Sequence, residues 1–411
     1  MDSSRPRILV FVEYFRPGFK SGGPVRSVAN IVDLLSDRFE FWVVTRDRDF
    51  TDAVPYAGVD VGQWNQVGKA VVFYLPEARR LDSALLGRLI GEANPSAIYL
   101  NSYFAPMGRR FLMARRFKRL SELPVVIAPR GELGARVLQL KRLKKWLYIA
   151  LMSRLGIYKG LLWQATAPHE QGEIQAIMGQ GVEVRLAPNL PRATVESLQA
   201  VRPPKRAGTV RLVFLSRIAP KKNLSFALKS LRAIRGDVTF EIYGPIDSAA
   251  EWQLCEKLIA TLPANIRVTY QGIIDNEQVV EMLGASHFLV LPTLNENFGH
   301  VIFESFVAGS PVVLSDQTPW RDLPAKNVGW DLPVDDLAAW QRTLQECVDM
   351  DDARYQEMSS ACVTFARQWP ASSNVLEMTL ALFREAVRGG KPSQNPNDAL
   401  AHDASGLVNL K

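Results

Sequence analysis

Glu296-Asn297-Phe298-Gly299-His300-Val301-Ile302-Phe303-Glu304 is the stretch that decides how this chain reads. Ahead of it, residues 287–292 are a short apolar run of buried-strand type, and residues 293–297 form a polar turn. Residues 299–308 read as a helix, stopped by Gly309-Ser310-Pro311, and residues 312–315 start another strand. A loop feeding a helix N-terminus offers unpaired backbone N–H groups to an anion. Glu296 in the loop and Glu304 in the helix can grip hydroxyls on either side of that anion. An anion between two polyol grips is the outline of a nucleotide diphosphate sugar.

The same strand-to-helix grammar recurs along the chain. With 411 residues and 47% hydrophobic content, the sequence suits two globular domains. Both halves alternate short apolar strands with amphipathic helices, which predicts doubly wound α/β domains. In the first half strands are expected at 8–12, 41–45, 71–74, 97–100, 125–128 and 184–187. Helices are expected at 25–35, 83–93, 107–120, 138–155 and 170–178. Residues 46–69 read as a long irregular excursion. A proline-rich, basic linker at 191–208 separates a first domain (1–190) from a second (209–369) with strands at 210–216, 239–243, 267–271, 288–291 and 312–314. Helices at 336–349 and 352–368 follow. Trp369-Pro370 breaks the pattern before one more helix (370–388), and residues 389–411 read as a disordered tail.

Three further stretches carry chemistry. Ser216-Arg217-Ile218-Ala219-Pro220-Lys221-Lys222-Asn223 lies where an open α/β sheet binds ligands, at a strand's carboxyl end, with Asn223 expected to cap the next helix. Arg217 and Lys222 can both reach a diphosphate, one as a fork and one as a point charge. Gly22-Gly23-Pro24 precedes a helix and permits close approach of a ligand. Gly244 ends another strand, where a ligand-contacting turn and a simple tight turn are both open readings.

At these residues the chain resembles glycosyltransferase family 4, of the GT-B fold: two doubly wound Rossmann-like domains facing across a cleft. The resemblance covers about residues 7–388. It implies that Glu304 holds ribose hydroxyls, that Glu296 holds hydroxyls of the transferred sugar, and that the N–H groups around Asn297, Phe298 and Gly299 face sugar and phosphate. It implies donor pyrophosphate contacts for Arg217 and Lys222, which with Glu296 form the expected catalytic set. Gly22, Gly23 and Gly244 join the donor-binding residues. Many members have a histidine where this chain has Arg130, in Ala128-Pro129-Arg130-Gly131. Arginine cannot serve as a general base near neutral pH but can stabilise phosphate or bind an anionic acceptor; Arg130 is placed with the acceptor side. The last helix is expected to cross back onto the first domain. The family implies a retaining transfer from a nucleotide-activated sugar, UDP- or GDP-linked. No cofactor and no metal are required beyond that co-substrate, and the setting is exopolysaccharide, capsule or lipopolysaccharide assembly. A GT-B epimerase or donor hydrolase, and a non-catalytic sugar-nucleotide-binding subunit, are the alternatives.

Charge separates the halves. The chain carries +7 overall, yet residues 109–159 hold 14 basic and 2 acidic side chains. Basic residues interleaved with Phe, Leu, Trp and Tyr describe a surface-seeking helix on anionic lipid, which suits a glycan or polyprenyl-diphosphate-linked acceptor. No nucleic-acid module is recognisable, so nucleic acid is not an expected partner. The start of the chain lacks a signal-peptide pattern, no apolar run is long enough to span a bilayer, and three cysteines show neither disulfide nor metal spacing. These features lead to the expectation of a cytoplasmic protein, peripheral at most at the inner face of the membrane.

Overall fold

The computed structural model describes residues 5–118, 123–134, 137–138, 142–192 and 202–389. Residues 390–411 of the expected tail and residues 193–201 of the expected linker lie outside them. The first sheet has eight strands: β1 (Arg7–Phe11), β2 (Glu40–Arg46), β3 (Trp64–Val67), β4 (Ala70–Leu75), β5 (Ala97–Asn101), β6 (Val125–Ala128), β7 (Leu161–Ala165) and β8 (Glu183–Leu186). Their order is β3-β4-β2-β1-β5-β6-β7-β8, parallel except for the β3–β4 pair. The second sheet has six parallel strands: β9 (Thr209–Leu215), β10 (Asp237–Tyr243), β11 (Ile266–Gly272), β12 (Phe288–Leu291), β13 (Val312–Ser315) and β14 (Gly329–Leu332), in the order β11-β10-β9-β12-β13-β14. In both sheets the order reverses beside the first strand, between β1 and β5 and between β9 and β12. Open α/β sheets bind ligands at such switch points.

The crossovers of the first half run through α1 (Gly23–Leu35), α2 (Ser83–Ala93), α3 (Pro106–Lys118), α4 (Arg142–Arg154) and α5 (Pro168–Met178). Those of the second run through α6 (Leu224–Leu231), α7 (Ala249–Ile259), α8 (Val279–Ala285) and α9 (His300–Val307), followed by α10 (Leu337–Asp349), α11 (Asp352–Ser372) and α12 (Val375–Val387). Aspartates start three of these helices by accepting a backbone N–H: Asp82 from Leu85, Asp336 from Ala339 and Asp351 from Arg354.

Strand alternation explains the layers. In β1, Leu9 and Phe11 face a core shared with α2 and α3, while Ile8 and Val10 face one shared with α1 and α12. Helix α12 follows the second sheet in sequence but packs on the first. Phe383 lies against Phe39, Phe41 and Tyr99, and Arg185 forks onto Glu385 at 2.7 and 2.9 Å.

Several expectations need correction. Residues 46–69 are not wholly irregular, because Trp64–Val67 pairs antiparallel with β4. Its Trp-Asn-Gln-Val sequence lacks strand alternation, and Trp64 is held by Trp42 and Phe73. Strand β7 was not expected either. Its Gln164 breaks an apolar run, yet is satisfied inside the sheet by the Tyr99 hydroxyl and the Ala187 carbonyl. Pro370 does not end a helix: α11 runs through it, and the break falls at Asn374, whose φ is 53°. Trp369 is packed against Phe298, Phe303 and Trp320, which secures the turn around the missing N–H. The helix expected at 138–155 is described from Arg142 to Arg154.

Candidate active site

All the expected site residues except Glu304 line one cleft between the two sheets. Its lining includes Gly22, Gly23, Arg130, Arg217, Lys222, Gly244, Glu296, Asn297, Phe298 and Gly299, around a volume of about 250 Å³. From the second sheet come the loops that leave β9, β10 and β12 at their carboxyl ends. From the first come the loop into α1 and the turn after β6. Gly22 sits at the start of α1 with φ 70°, a conformation a side chain would strain, and no atom lies within 4 Å of where a Cβ of Gly23 would project.

Lys222 and Glu296 form the central pair, Nζ to Oε2 at 2.5 Å, with side chains only 15% and 18% exposed. Burial pushes the Glu296 carboxyl up, but Lys222 and Lys221 outweigh it and hold it at about 2. Glu296 is therefore ionised at neutral pH, an acceptor for hydroxyls and not an acid. Lys221 is itself lowered by burial, opposed by Glu296. Arg217 lies at the rim and reaches Asp247 at 3.2 Å.

Asn223 does not cap α6 with its side chain; instead its Nδ2 donates to the Pro292 carbonyl at 3.1 Å. That bond ties the lysine loop to the glutamate loop across the switch point. Of the three backbone N–H groups expected to face a ligand, that of Asn297 is taken by the carboxylate of Glu296 at 3.2 Å. Those of Phe298 and Gly299 have no protein acceptor among the described residues.

The glycine at position 244 answers to the protein's own backbone. A Cβ there would lie 2.0 Å from the Ser216 carbonyl oxygen, and φ is +128°. Of the two open readings, the tight strand-end turn accounts for the glycine, although the residue also lines the cleft.

Glu304 is engaged in a way the sequence did not indicate. It is ion-paired with Arg26 of α1, across the domain boundary, and Arg26 also donates to Asn276 Oδ1 at 2.7 and 3.1 Å. Burial raises the Glu304 carboxyl and Arg26 opposes this. Arg26 donates to Oε2 of Glu304, and a carboxylate keeps a second acceptor oxygen, Oε1. Arg26 lies one helical turn beyond Gly22-Gly23, which was its only signal.

Arg130 is braced within the first domain. It donates from Nε to Asn101 at 2.7 Å, from Nη2 to Tyr99 at 2.5 Å, and also to Asn189. Beside it, Glu170 accepts from the N–H groups of Gly131 and Thr166, and the Thr166 hydroxyl accepts from Asn297 Nδ2 at 3.0 Å. His169 is exposed, whereas His300 is buried and reaches Ser27 at 3.2 Å.

Two buried histidines set a pH dependence. Burial, with Arg26 and Arg130 nearby, lowers His300 to about 3; burial, with Lys205 and Arg211, lowers His287 to about 4. Below about pH 6.5 the unfolded chain binds protons at both positions that the fold refuses. Stability from these groups is complete above that pH and falls as pH drops toward 4. Each costs about 2 kcal/mol at pH 5. Thermal unfolding is expected to show a falling midpoint from pH 8 to 5, with a shallower slope in His300→Asn. An unchanged slope in that variant would contradict the account.

Among the described residues there is no group of three or more His, Cys, Asp or Glu placed to hold a metal, and no helix long and apolar enough to cross a membrane. The three cysteines are buried free thiols.

Comparison with known proteins agrees with this geometry. Residues 199–369 match the family described as glycosyl transferases group 1. D-inositol 3-phosphate glycosyltransferase of Mycolicibacterium smegmatis is 28% identical over 179 residues, 43% of this chain and 40% of that protein. The protein of that name from Corynebacterium efficiens is 24% identical over 52% of this chain and 51% of its own. The chain thus spans about half or less of the length of these curated relatives. Whole-chain similarity appears in solved structures. Sucrose-phosphate synthase from Thermosynechococcus elongatus superimposes with TM-score 0.69 at 18% identity, over 93% of this chain and 99% of that one. Anabaena HepE, solved in complex with UDP and glucose, gives 0.62 at 15%, over 92% and 99%. The chain therefore has the GT-B glycosyltransferase fold, and its residues 199–369 are a glycosyl transferases group 1 domain.

Proposed function

We propose that this protein transfers a sugar from a nucleoside diphosphate sugar to an acceptor hydroxyl, with retention and without a required metal. The observation that carries the reading is the arrangement of Arg217, Lys221 and Lys222 at strand ends, opposite the open Gly22-Gly23 turn and beside ionised Glu296. A diphosphate leaving group gains negative charge as its glycosidic bond breaks. Fixed cations and helix N-termini in a narrow cleft stabilise that charge more than they stabilise the ground state. Glu296 then holds sugar hydroxyls, and Glu304, with Arg26 beside it, holds the ribose. The acceptor oxygen bonds to the anomeric carbon on the face from which the phosphate departs, and its proton passes to the departing phosphate oxygen. Neither glutamate is a nucleophile in this course. The UDP-bound state of HepE supports the nucleotide reading, and the donor in this reading is a UDP- or GDP-linked sugar.

The acceptor is a glycan or a polyprenyl-diphosphate-linked saccharide met at a cytoplasmic membrane face, as in polysaccharide assembly. Helix α4 supports this. Leu143, Trp146, Leu147 and Leu151 are 74%, 51%, 62% and 53% exposed, among Arg142, Lys144 and Arg154. An apolar face rimmed with cations adheres to anionic lipid. The protein is expected to sediment with vesicles containing anionic lipid at low salt, and the double change Trp146→Ala, Leu147→Ala to reduce the bound fraction severalfold. Wild-type protein left in the supernatant would rule out the membrane reading.

The functional test is nucleoside diphosphate release from a panel of UDP- and GDP-sugars, with and without lipid-linked saccharide. Acceptor-dependent release is expected. Release without acceptor would favour a hydrolase or epimerase, and no release despite nucleotide binding would favour a non-catalytic subunit.

A further inference from the structure

Two consecutive residues of α1 reach α9 across the domain boundary. Arg26 Nη1 donates to Glu304 Oε2, and the Ser27 hydroxyl meets His300 Nε2 at 3.2 Å. His300 and Glu304 stand four positions apart, so they share the face of α9 that meets α1. The guanidinium is fixed from a third segment. Its Nε and Nη2 both donate to Asn276 Oδ1, at 3.1 and 2.7 Å, in the loop between β11 and α8. All three of its nitrogens are engaged, and the side chain is 16% exposed.

This fixation occupies only one oxygen of the carboxylate. Glu304 Oε1 accepts no hydrogen bond from any described residue, and the side chain keeps 11% of its surface. Burial raises the Glu304 carboxyl; Arg26 is the foremost group opposing that, ahead of Arg192. Removing Arg26 would take away both a counter-charge and the bond that orients the carboxylate. Arg26, Ser27, Asn276 and His300 line the donor cleft, and Glu304 lies behind that wall. Gly22-Gly23 opens the same helix, so one rigid element carries the open turn at the phosphate end of the cleft and the arginine beside Glu304.

We propose that Arg26, supplied by the first domain, is a positioning residue for ribose recognition by the second: it holds Glu304 through Oε2 so that Oε1 is presented to a ribose hydroxyl. The proposal rests on the nucleotide-sugar reading and deepens it. Asn276 orients Arg26, Arg26 orients Glu304, and Glu304 meets the ligand. The nucleoside site is then shared between the domains, and the second domain alone lacks a part of it.

Isothermal titration into the full chain tests this, with UDP and GDP and the 2′-deoxy and 3′-deoxy form of each as probes. For a nucleotide that binds, wild type is expected to prefer the ribose form over at least one deoxy form by about fivefold or more, because the deoxy form leaves the Glu304 acceptor unpaired. Arg26→Ala should reduce that preference to within about twofold, and Asn276→Ala, which leaves the ion pair but frees the guanidinium to turn, should reduce it in part. Glu304→Ala should abolish it, and adding Arg26→Ala to that variant should change it no further. A purely structural role would lower the affinity for ribose and deoxy forms alike. Preference at the wild-type level in both Arg26→Ala and Asn276→Ala, or a wild type that binds nucleotide without any preference, would overturn the positioning role while leaving the nucleotide reading intact. A wild type that binds neither UDP nor GDP would overturn both.

Discussion

Replacing Lys222 by alanine is expected to lower kcat/KM for sugar transfer by about 10²–10³-fold, the effect of removing one preorganised stabiliser of transition-state charge, about 3–4 kcal/mol. Lys222 is far less exposed than Arg217, 15% against 45% at the side chain, and its loop is fixed by Asn223 on the Pro292 carbonyl. Stability should fall less, by about 2 kcal/mol. Losing one partner of a buried pair usually costs more, but Glu296 keeps Lys221 beside it. Glu296→Gln provides the complement. It keeps the side-chain shape but leaves Lys222 and Lys221 without their carboxylate, so transfer should drop steeply while melting falls to a degree comparable with Lys222→Ala. The measurement is steady-state transfer alongside thermal unfolding for both variants. Activity and stability that fall in proportion would assign the pair to folding alone.

Gly244→Ala is expected to be the most damaging single methyl in the second domain's ligand loops. The new Cβ would meet the Ser216 carbonyl oxygen at 2.0 Å, in a backbone region that L side chains rarely adopt. The segment cannot move aside easily, because Gly244 N–H donates to the Gly272 carbonyl at 2.7 Å and Ile218 N–H to the Pro245 carbonyl at 2.8 Å. Overlap and strain together should cost more than about 3 kcal/mol and lower the melting midpoint by roughly 5–10 °C. Ser216 adjoins Arg217, so nucleotide affinity should fall as well. A variant melting with wild type would show that these strand ends part without penalty.

The two halves of the site were unequally legible. Glu296, Arg217 and Lys222 stand out because each sits where a buried apolar strand gives way to a turn, so position in the sheet follows from local pattern. Their partners across the cleft carry no such mark. Arg26 meets Glu304 from 278 positions away, and Thr166 meets Asn297 from 131. Only the packing of one sheet against the other creates those contacts. Arg130 illustrates the same limit: its departure from histidine was visible, but the bracing by Asn101, Tyr99 and Asn189 depends on three separate segments. In the fold, strands with continuous apolar runs were recognisable. Trp64–Val67 and Leu161–Ala165 were not, since polar residues inside them are satisfied by neighbours that local pattern does not reveal.

The central claim is that the cleft between Gly23 and Lys222 is a nucleoside diphosphate site. Isothermal titration of UDP and GDP into the wild type and Lys222→Ala tests it most directly. The account predicts one-to-one binding of at least one nucleotide, weakened tenfold or more by the substitution and weakened further by salt. Failure of both nucleotides to bind the wild type, or equal affinity for the variant, would contradict it.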